Sequence, residues 1–164
     1  MKIKFLTVVC ASLLLSACAQ KSQNAEKSAA TDSLAVEKSA DTATQAGVAI
    51  NLTAEDFMQQ IANVSEAGWK YKGDEPCVVD FYATWCPPCK MLSPVLDTLA
   101  AEYAAHFNLY KIDVDQAKDL AQKLEIQSIP TLYLFKKGAD PVVLIGYKTH
   151  AEMTQELRKA GIIP

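Results

Sequence analysis

The chain has 164 residues, half of them hydrophobic, which is enough for one domain with a buried core and additional terminal segments. Its net charge is −3 at pH 7, and beyond the first residues no cluster of lysine or arginine stands out. This composition argues against nucleic acid as a partner, because nucleic-acid-binding proteins carry concentrated positive charge.

The chain begins with the pattern of an export signal. Lys2 and Lys4 give a positive start, and the apolar run 5–15 is shorter than the about 20 residues of a membrane-spanning helix. The run ends in Leu-Ser-Ala-Cys, which resembles the bacterial lipobox, where a signal peptidase cuts before the cysteine and the cysteine carries lipid. We predict a lipoprotein signal peptide over residues 1–17 and lipidation of Cys18. The alternative is a plain secretory signal with an incidental cysteine.

The next segment has the composition of a linker. Residues 19–47 are rich in Ala, Ser, Thr, Gln, Lys, Glu and Asp and contain no aromatic residue. Such a stretch cannot bury enough apolar surface to offset the entropy lost on ordering. We therefore predict that residues 18–47 form a flexible tether that spans roughly 30 Å. The folded domain is predicted over residues 48–164.

The first elements of that domain are a short strand and a helix. Residues 48–51 are predicted as the strand, and Thr53 as the start of the helix, with Asp56 completing a partial capping box. The apolar residues Phe57, Ile61 and Val64 follow at helical spacing. Residues 65–76, which contain two glycines and a proline, are predicted as a loop.

The rest of the chain alternates strands and helices. The further predicted strands are 77–83, 107–114, 131–135 and 142–145, and the helices are 87–106, 116–124 and one capped by Thr149 and ending before Gly161. The run 77–83 is almost entirely apolar, which is typical of a strand buried on both faces. The order βαβαβαββα predicts an α/β fold with a mixed β-sheet and helices on both faces.

Cys86 and Cys89 form a Cys-x-x-Cys motif where a predicted strand meets a predicted helix. Two intervening residues at a helix start bring both sulfurs within disulfide reach. The free N–H groups and the dipole of the helix N-terminus favour a thiolate on the first cysteine. Because the thiolate attacks in thiol–disulfide exchange, Cys86 is the predicted nucleophile and Cys89 the resolving cysteine.

Two structural roles compete for this motif, a zinc site and a plain structural disulfide. A zinc site needs four ligands. The other cysteines expected in the mature chain are Cys77 and Cys18, of which Cys18 is predicted to carry lipid, and His106 and His150 are isolated in the sequence. No metal is therefore expected, and Cys77 is predicted to be a buried apolar residue. A structural disulfide stays possible in an exported domain.

Asp80 is a carboxylate inside an apolar strand. Its burial costs several kcal/mol unless the group is paired or neutral. Burial would also raise its pKa, so that Asp80 could take up the proton of Cys89. Lys111, on the neighbouring predicted strand, is a candidate partner for Asp80. The alternatives are a structural role for Asp80 and an exposed position for Lys111.

The segment 78–90, followed by Ser-Ile-Pro-Thr at 128–131, resembles the thioredoxin family, over roughly residues 50–160. The resemblance implies a thioredoxin fold and thiol–disulfide oxidoreductase activity without a cofactor.

The resemblance also implies the role of each site residue. Cys86 corresponds to the exposed nucleophile and Cys89 to the buried resolving cysteine. Asp80 and Lys111 correspond to the buried acid and its neighbouring lysine. The substrate-binding residues are then Trp85, Ile129, the cis-proline Pro130 and Gly146.

The chain departs from the family in the spacer between the two cysteines, which is Pro87-Pro88 instead of the common Gly-Pro. Pro87 removes one N–H donor from the helix start, and the spacer has no histidine to stabilise the Cys86 thiolate. Strong oxidants of this fold stabilise their reduced form. We therefore expect this pair to have a potential nearer the reducing end of the range.

The predicted function is reduction of disulfides in exported proteins through a mixed-disulfide intermediate. The protein is expected as a monomer on the periplasmic side of a bacterial membrane, anchored at Cys18, with the choice of inner or outer membrane open. Electrons would come from an integral-membrane thiol protein. The alternatives are a disulfide oxidase or isomerase and a non-catalytic peptide-binding lipoprotein.

Overall fold

The computed structural model describes residues 47–65 and 68–164. The predicted signal peptide, Cys18 and the tether up to residue 46 lie outside these residues. The strands are β1 (Ile50–Asn51), β2 (Ala62–Ser65), β3 (Gly68–Tyr71), β4 (Cys77–Tyr82), β5 (Asn108–Asp113), β6 (Thr131–Phe135) and β7 (Val142–Ile145). The helices are α1 (Ala54–Asp56), which continues into a π-helical turn (Phe57–Ile61), α2 (Pro87–Glu102), α3 (Lys118–Lys123) and α4 (His150–Ala160).

Within the described residues, five strands form a sheet in the order β1-β5-β4-β6-β7. β4 pairs in parallel with β5 and antiparallel with β6, so the sheet is mixed, as predicted. The register places Asp80 of β4 directly beside Lys111 of β5. β4 is the central strand and is covered on both faces, which explains its nearly continuous apolar sequence.

Helices pack on both faces of this sheet, which confirms the predicted fold class. On one face, α2 and α4 contribute Leu92, Leu96, Leu99, Met153 and Leu157 to the core. On the other face, the π-helical turn and the α3 region contribute Phe57, Ile61, Leu120 and Leu124. Burial of each large apolar side chain stabilises the fold by about 1.5–3 kcal/mol. These two layers fix the start of α2 at the carboxyl end of β4.

Side-chain caps define two of the helix starts. The N–H of Asp56 donates to Thr53 Oγ1 (3.1 Å), and the N–H of Thr53 donates to Asp56 Oδ2 (3.0 Å), so the predicted capping box is confirmed. Thr149 and Glu152 form the same reciprocal arrangement at α4. That helix ends at Gly161, whose φ of 67° lies in the left-handed region that glycine favours.

The chain between α1 and β4 differs from the prediction. The helical spacing predicts that Val64 belongs to the first helix, but the helix ends at Ile61 and Val64 lies in β2. The predicted loop 65–76 is also wrong in its first half, because β3 pairs antiparallel with β2, from Ala62 with Tyr71 to Ser65 with Gly68. The two strands form a hairpin against the side of the core that contains Phe57.

Aromatic packing explains this hairpin. Trp69 and Tyr71 are half-buried and alternate with exposed residues, which is the period of a strand with one covered face. The Trp69 ring lies 5.4 Å from the rings of both Tyr133 and Phe135, and the Tyr71 ring stacks on Phe135 at 5.4 Å. The flanking glycines give the segment the appearance of a loop, but its side chains have partners on β6.

Candidate active site

The two cysteines of the motif form a disulfide at the start of α2. Their Cα atoms are 5.3 Å apart, and their sulfurs are bonded at 2.09 Å. Cys86 has an extended backbone and is the N-cap of the helix, and Pro87 is the first helical residue. Because α2 begins five residues after β4 ends, the short connection brings the pair to the carboxyl end of the central strand.

The sulfur of Cys86 accepts a hydrogen bond from the helix it caps. The N–H of Cys89 donates to Cys86 Sγ over 3.2 Å. An N-cap acceptor is ordinarily reached by the second or third helical N–H. Here the second residue is Pro88, which has no N–H, so the third residue donates alone. The Cys86 sulfur therefore receives one N–H from the first turn, whereas two N–H groups are available to the N-cap residue of an ordinary helix.

The segment before β6 lies against the disulfide. The Ile129–Pro130 peptide bond is cis, as the resemblance implies. The carbonyl oxygen of Ile129 is 3.8 Å from Cys86 Sγ. The N–H of Gly146 donates to the carbonyl oxygen of Pro130 over 2.8 Å, so the end of β7 is tied to the same segment. Ile129 and Pro130 thus lie beside the sulfur, and Gly146 is linked to them through the Pro130 carbonyl.

Trp85 is a large exposed side chain beside the motif, with 64% of its surface accessible. Its Nε1–H donates to Asp115 Oδ2 over 2.7 Å, which fixes the indole. The ring lines an open cavity of about 450 Å³ that extends to Ile129. The other residues that line it are Val114, Lys118, Ala121, Gln122, Ile126, Gln127 and Ser128. The aliphatic side chains of this lining are partly buried and its polar side chains are exposed, so the cavity offers an apolar surface close to the disulfide.

Asp80 is buried under α2. It is 1% exposed, and its Oδ1 forms no hydrogen bond with any residue that the structure describes. Burial raises its pKa to about 7, against a smaller lowering by the charge of Lys111 and with a further rise from Asp97. The carboxyl group can therefore gain and lose a proton near neutral pH.

Lys111 lies beside Asp80 in the register, but its ammonium is bonded elsewhere. The two charged groups are not within the 4.0 Å of a salt bridge. Lys111 Nζ instead donates to Ser93 Oγ on α2 and lies 5.1 Å from the centroid of the Tyr82 ring. The charge of Lys111 thus acts on Asp80 through space, without a direct hydrogen bond.

Comparison with known proteins agrees with this geometry. The family model described as thioredoxin matches residues 48–159. The chain belongs to the thioredoxin family. It is 38% identical over 101 residues to a thioredoxin of Borreliella burgdorferi, covering 61% of this chain and 86% of the relative. It is 40% identical over 100 residues to a thioredoxin of Staphylococcus aureus, covering 60% of this chain and 96% of the relative.

A solved structure supports the same conclusion. The crystal structure of chloroplastic thioredoxin z superposes with a TM-score of 0.58 and 28% identity, over 68% of this chain and 92% of that chain. The predicted thioredoxin fold is confirmed. As a member of this family, the protein is a thiol–disulfide oxidoreductase.

The predicted exposure of Cys86 is wrong for the disulfide form of this thioredoxin. Cys86 is 2% exposed and Cys89 is 3% exposed, because Ala83, Val114 and Ile129 pack around the pair. Burial therefore does not distinguish the two cysteines. What distinguishes them is the position of Cys86 at the helix cap, beside the Ile129 carbonyl.

Gly146 is connected to the site by its hydrogen bond to Pro130. It is not among the residues that line the cavity beside Trp85, and its link to the disulfide passes through Pro130. Its φ of 83° lies in the region that glycine favours. Its role in the structure is thus to turn the chain at the end of β7.

Sequence reasoning missed Ser93 and Asp115. Ser93 lies four residues after Cys89 on α2 and so shares its helix face. Asp115 follows β5, and Trp85 follows β4, so two parallel strands deliver them to the same edge of the sheet. The helical spacing and the parallel strand order were the available signals.

No group of three or more His, Cys, Asp and Glu side chains at residues 47–65 and 68–164 is arranged to hold a metal ion. In the same part of the chain, no helix combines the length and apolar character that crossing a bilayer requires.

Proposed function

We propose that this thioredoxin reduces disulfides of exported proteins through Cys86 and Cys89. The observation that carries the proposal is the Cys86–Cys89 disulfide at the start of α2, with Cys86 Sγ accepting the N–H of Cys89. In the reduced protein the same N–H and the helix dipole stabilise a thiolate on Cys86. Cys86 is thus the sulfur best suited to attack.

In the first step, the Cys86 thiolate attacks one sulfur of a substrate disulfide. A mixed disulfide forms between Cys86 and that sulfur, and the second substrate sulfur leaves as a thiolate that takes up a proton. The Ile129 carbonyl, next to Cys86 Sγ, is an acceptor for a backbone N–H of the bound polypeptide. The cavity beside Trp85 has room for the side chains that flank the substrate cysteine.

In the second step, Cys89 attacks Cys86 Sγ and releases the reduced substrate. Cys89 must first lose its proton, and Asp80 is the group proposed to take it up. Asp80 suits this role because it is buried under α2 and its pKa is raised to about 7. The substrate gains two electrons and two protons overall, and the enzyme is left with the Cys86–Cys89 disulfide.

The direction of electron flow is tested by the reduction potential. The pair is equilibrated with glutathione redox buffers, and the oxidised fraction is measured. A potential near the about −270 mV of thioredoxin supports net reduction. A potential near the about −120 mV of a strong periplasmic oxidant contradicts the proposal and favours the oxidase alternative.

The substrates are tested by trapping. In Cys89→Ala the mixed disulfide cannot be resolved, so exported proteins are expected to accumulate covalently on Cys86. The double variant Cys86→Ala/Cys89→Ala is the matched control and is expected to trap none. Recovery of partners that lack export signals would contradict the proposed substrate class.

The proposed location rests on the N-terminal sequence. We infer that Cys18 carries lipid and holds a monomeric domain on the periplasmic side of the membrane, where an integral-membrane dithiol protein reduces the pair. Mass spectrometry of the mature N-terminus tests the lipid, and Cys18→Ser is expected to release the protein from the membrane fraction. A mature protein that begins elsewhere, without lipid, would contradict this location.

A further inference from the structure

The Lys111 ammonium lies among three groups that can attract it. It donates to Ser93 Oγ and lies over the Tyr82 ring, and Asp80 is its register neighbour on β4. Of these, the neutral hydroxyl holds the hydrogen bond, while the carboxylate leaves Oδ1 without a partner among the described residues. A buried carboxylate oxygen ordinarily draws the nearest cation. Something therefore holds the ammonium away from Asp80.

The helix α2 supplies that restraint. Cys89, Ser93 and Asp97 are spaced by four residues and share one face of the helix. Cys89 is buried and Ser93 is half-buried, and the Ser93 hydroxyl accepts the hydrogen bond of the Lys111 ammonium. One helix face thus presents both the resolving sulfur and the hydroxyl that binds Lys111.

The surroundings of Asp80 leave few other charges to act on it. Lys111 faces it from β5, Asp97 from α2, and Tyr82 lies on its own strand. Its neighbour on β6 is Leu132, which carries no charge. Of these charges, that of Lys111 has the largest effect on the pKa of Asp80, and this effect depends on where the ammonium lies.

We propose that Ser93 is a positioning residue of this thioredoxin: its hydroxyl holds the Lys111 ammonium away from the free oxygen of Asp80 and keeps that carboxyl group able to bind a proton. The proposal deepens the proposed function, since it matters for turnover if Asp80 takes up the proton of Cys89. Its effect on Asp80 itself does not depend on that step.

The first experiment titrates Asp80 in the oxidised protein, where Cys86 and Cys89 do not ionise. The ¹³C shift of the Asp80 carboxyl group is followed by NMR in wild type and in Ser93→Ala. Without the hydroxyl, the ammonium turns to Asp80 Oδ1 and favours the ionised carboxylate. The midpoint is expected to fall by about one pH unit. An unchanged or raised midpoint overturns the proposal.

Two variants control for effects on the helix. Ser93→Thr keeps a hydroxyl and is expected to restore a midpoint near that of wild type. Thr98→Ala removes a different hydroxyl of α2, one that donates to the Pro94 carbonyl, and is expected to leave the midpoint unchanged. Alanine is a better helix former than serine, so Ser93→Ala is expected to fold. A Thr98→Ala shift equal to that of Ser93→Ala overturns the proposal.

A double variant tests whether Ser93 acts through Lys111. In Lys111→Met the midpoint of Asp80 is expected to rise, because a nearby positive charge is lost. Adding Ser93→Ala to Lys111→Met is then expected to cause no further change. A full one-unit fall in the double variant would show that Ser93 acts on Asp80 by another route and would overturn the proposal.

The pH profile of the resolving step separates this proposal from the proposed function. If Ser93→Ala moves the NMR midpoint and the inflection of the rate by the same amount, both stand. If it moves the midpoint but not the rate, Ser93 is confirmed as the positioning residue and Asp80 is excluded as the proton acceptor of Cys89.

Discussion

The central strand β4 has a cysteine near each end, and the two occupy opposite chemical environments. Cys77 is the first residue of the strand and is 1% exposed, and Cys86, four residues beyond its end, is 2% exposed. Burial raises the pKa of the Cys77 thiol to about 12. Cys86 instead receives an N–H from the start of α2 and lies beside an open cavity.

Exposure does not distinguish these two cysteines, but their surroundings do. Cys77 belongs to the core cluster against which Trp69 and Tyr71 of the hairpin pack, and within residues 47–65 and 68–164 no helix N–H is recorded as donating to its sulfur. Cys86 has equally little exposed surface in the disulfide form, but it lies where a helix N-terminus favours negative charge. The electrostatic surroundings therefore separate the end of β4 that is proposed to be reactive from the end that is proposed to be structural.

The largest expected difference between the two ends is in activity. Cys86→Ser is expected to lower kcat/KM for disulfide reduction by at least about 1,000-fold, because the nucleophile is lost. Cys77→Ser is expected to keep near wild-type kcat/KM while lowering the free energy of unfolding by about 1–3 kcal/mol, since a hydroxyl replaces a buried thiol. Steady-state kinetics and urea denaturation measure both. A folded but inactive Cys77→Ser would contradict the comparison, and a Cys86→Ser variant that still reduces disulfides would show that Cys86 is not the nucleophile.

Asp80 is expected to make the stability of the folded protein depend on pH. In the unfolded chain this carboxyl group ionises near 3.8, and in the folded protein it keeps its proton to about 7. The folded state therefore binds more protons between these values, and the free energy of unfolding falls as pH rises through this window. Between pH 5 and pH 8 the loss is expected to be about 2–3 kcal/mol.

Asp80→Asn is the matching variant for this prediction. It removes the titrating group, so its unfolding free energy, measured by urea denaturation from pH 5 to pH 8, is expected to change less with pH than that of wild type. It is also expected to slow the resolving step. Equal pH slopes in the two proteins would mean that Asp80 ionises normally in the folded state.

Trp69 tests the structural end. Its half-buried ring packs on Tyr133 and Phe135, so Trp69→Ala is expected to lower the free energy of unfolding by about 2 kcal/mol without changing the reduction potential. Trp85→Ala is the matched control, because that ring is exposed. It is expected to change stability little and to raise KM for polypeptide disulfides. Urea denaturation and steady-state kinetics measure these effects. A loss of stability in Trp85→Ala and a raised KM in Trp69→Ala would contradict the structural role of Trp69 and the substrate-binding role of Trp85.

The smallest expected effect concerns the prolines of the spacer. Pro88→Ala restores an N–H at the second helical position, from which an N-cap acceptor is reached. The pKa of the reduced Cys86 thiol is expected to fall by roughly half a unit, as the gain of one helix-end interaction implies. Pro87→Ala, at the first position, is expected to change it less. The absorbance of the thiolate, measured against pH, distinguishes the two variants. A larger fall of the pKa in Pro87→Ala would mean that the N–H missing at Pro87 is the one that matters, as the sequence alone suggests.

Features that depend on local pattern could be predicted from the sequence. The boundaries of β6 and β7, the caps at Thr53 and Thr149, and the disulfide motif at a helix start all follow from neighbouring residues. The family resemblance supplied the cis form of Pro130, which spacing alone does not indicate.

Features that depend on distant packing could not be predicted in this way. The hairpin is stabilised by Trp69 and Tyr71 on rings of β6 some sixty positions away, which no local period reveals. The bond from Lys111 to Ser93 requires the depth at which α2 docks on the sheet. The low exposure of Cys86 likewise results from Ile129, which is brought there by the fold.

The central position of β4 has a consequence for amide hydrogen exchange. Its backbone is hydrogen-bonded to β5 on one side and β6 on the other, whereas β7 forms an edge with Val142 and Val143 exposed. Amides of β4 are therefore expected to exchange only through global unfolding, and those of β7 through local opening. The redox pair thus follows, after a short connection, the strand that is expected to exchange most slowly. Cycling between disulfide and dithiol can then alter the first turn of α2 while the strand that carries it remains closed.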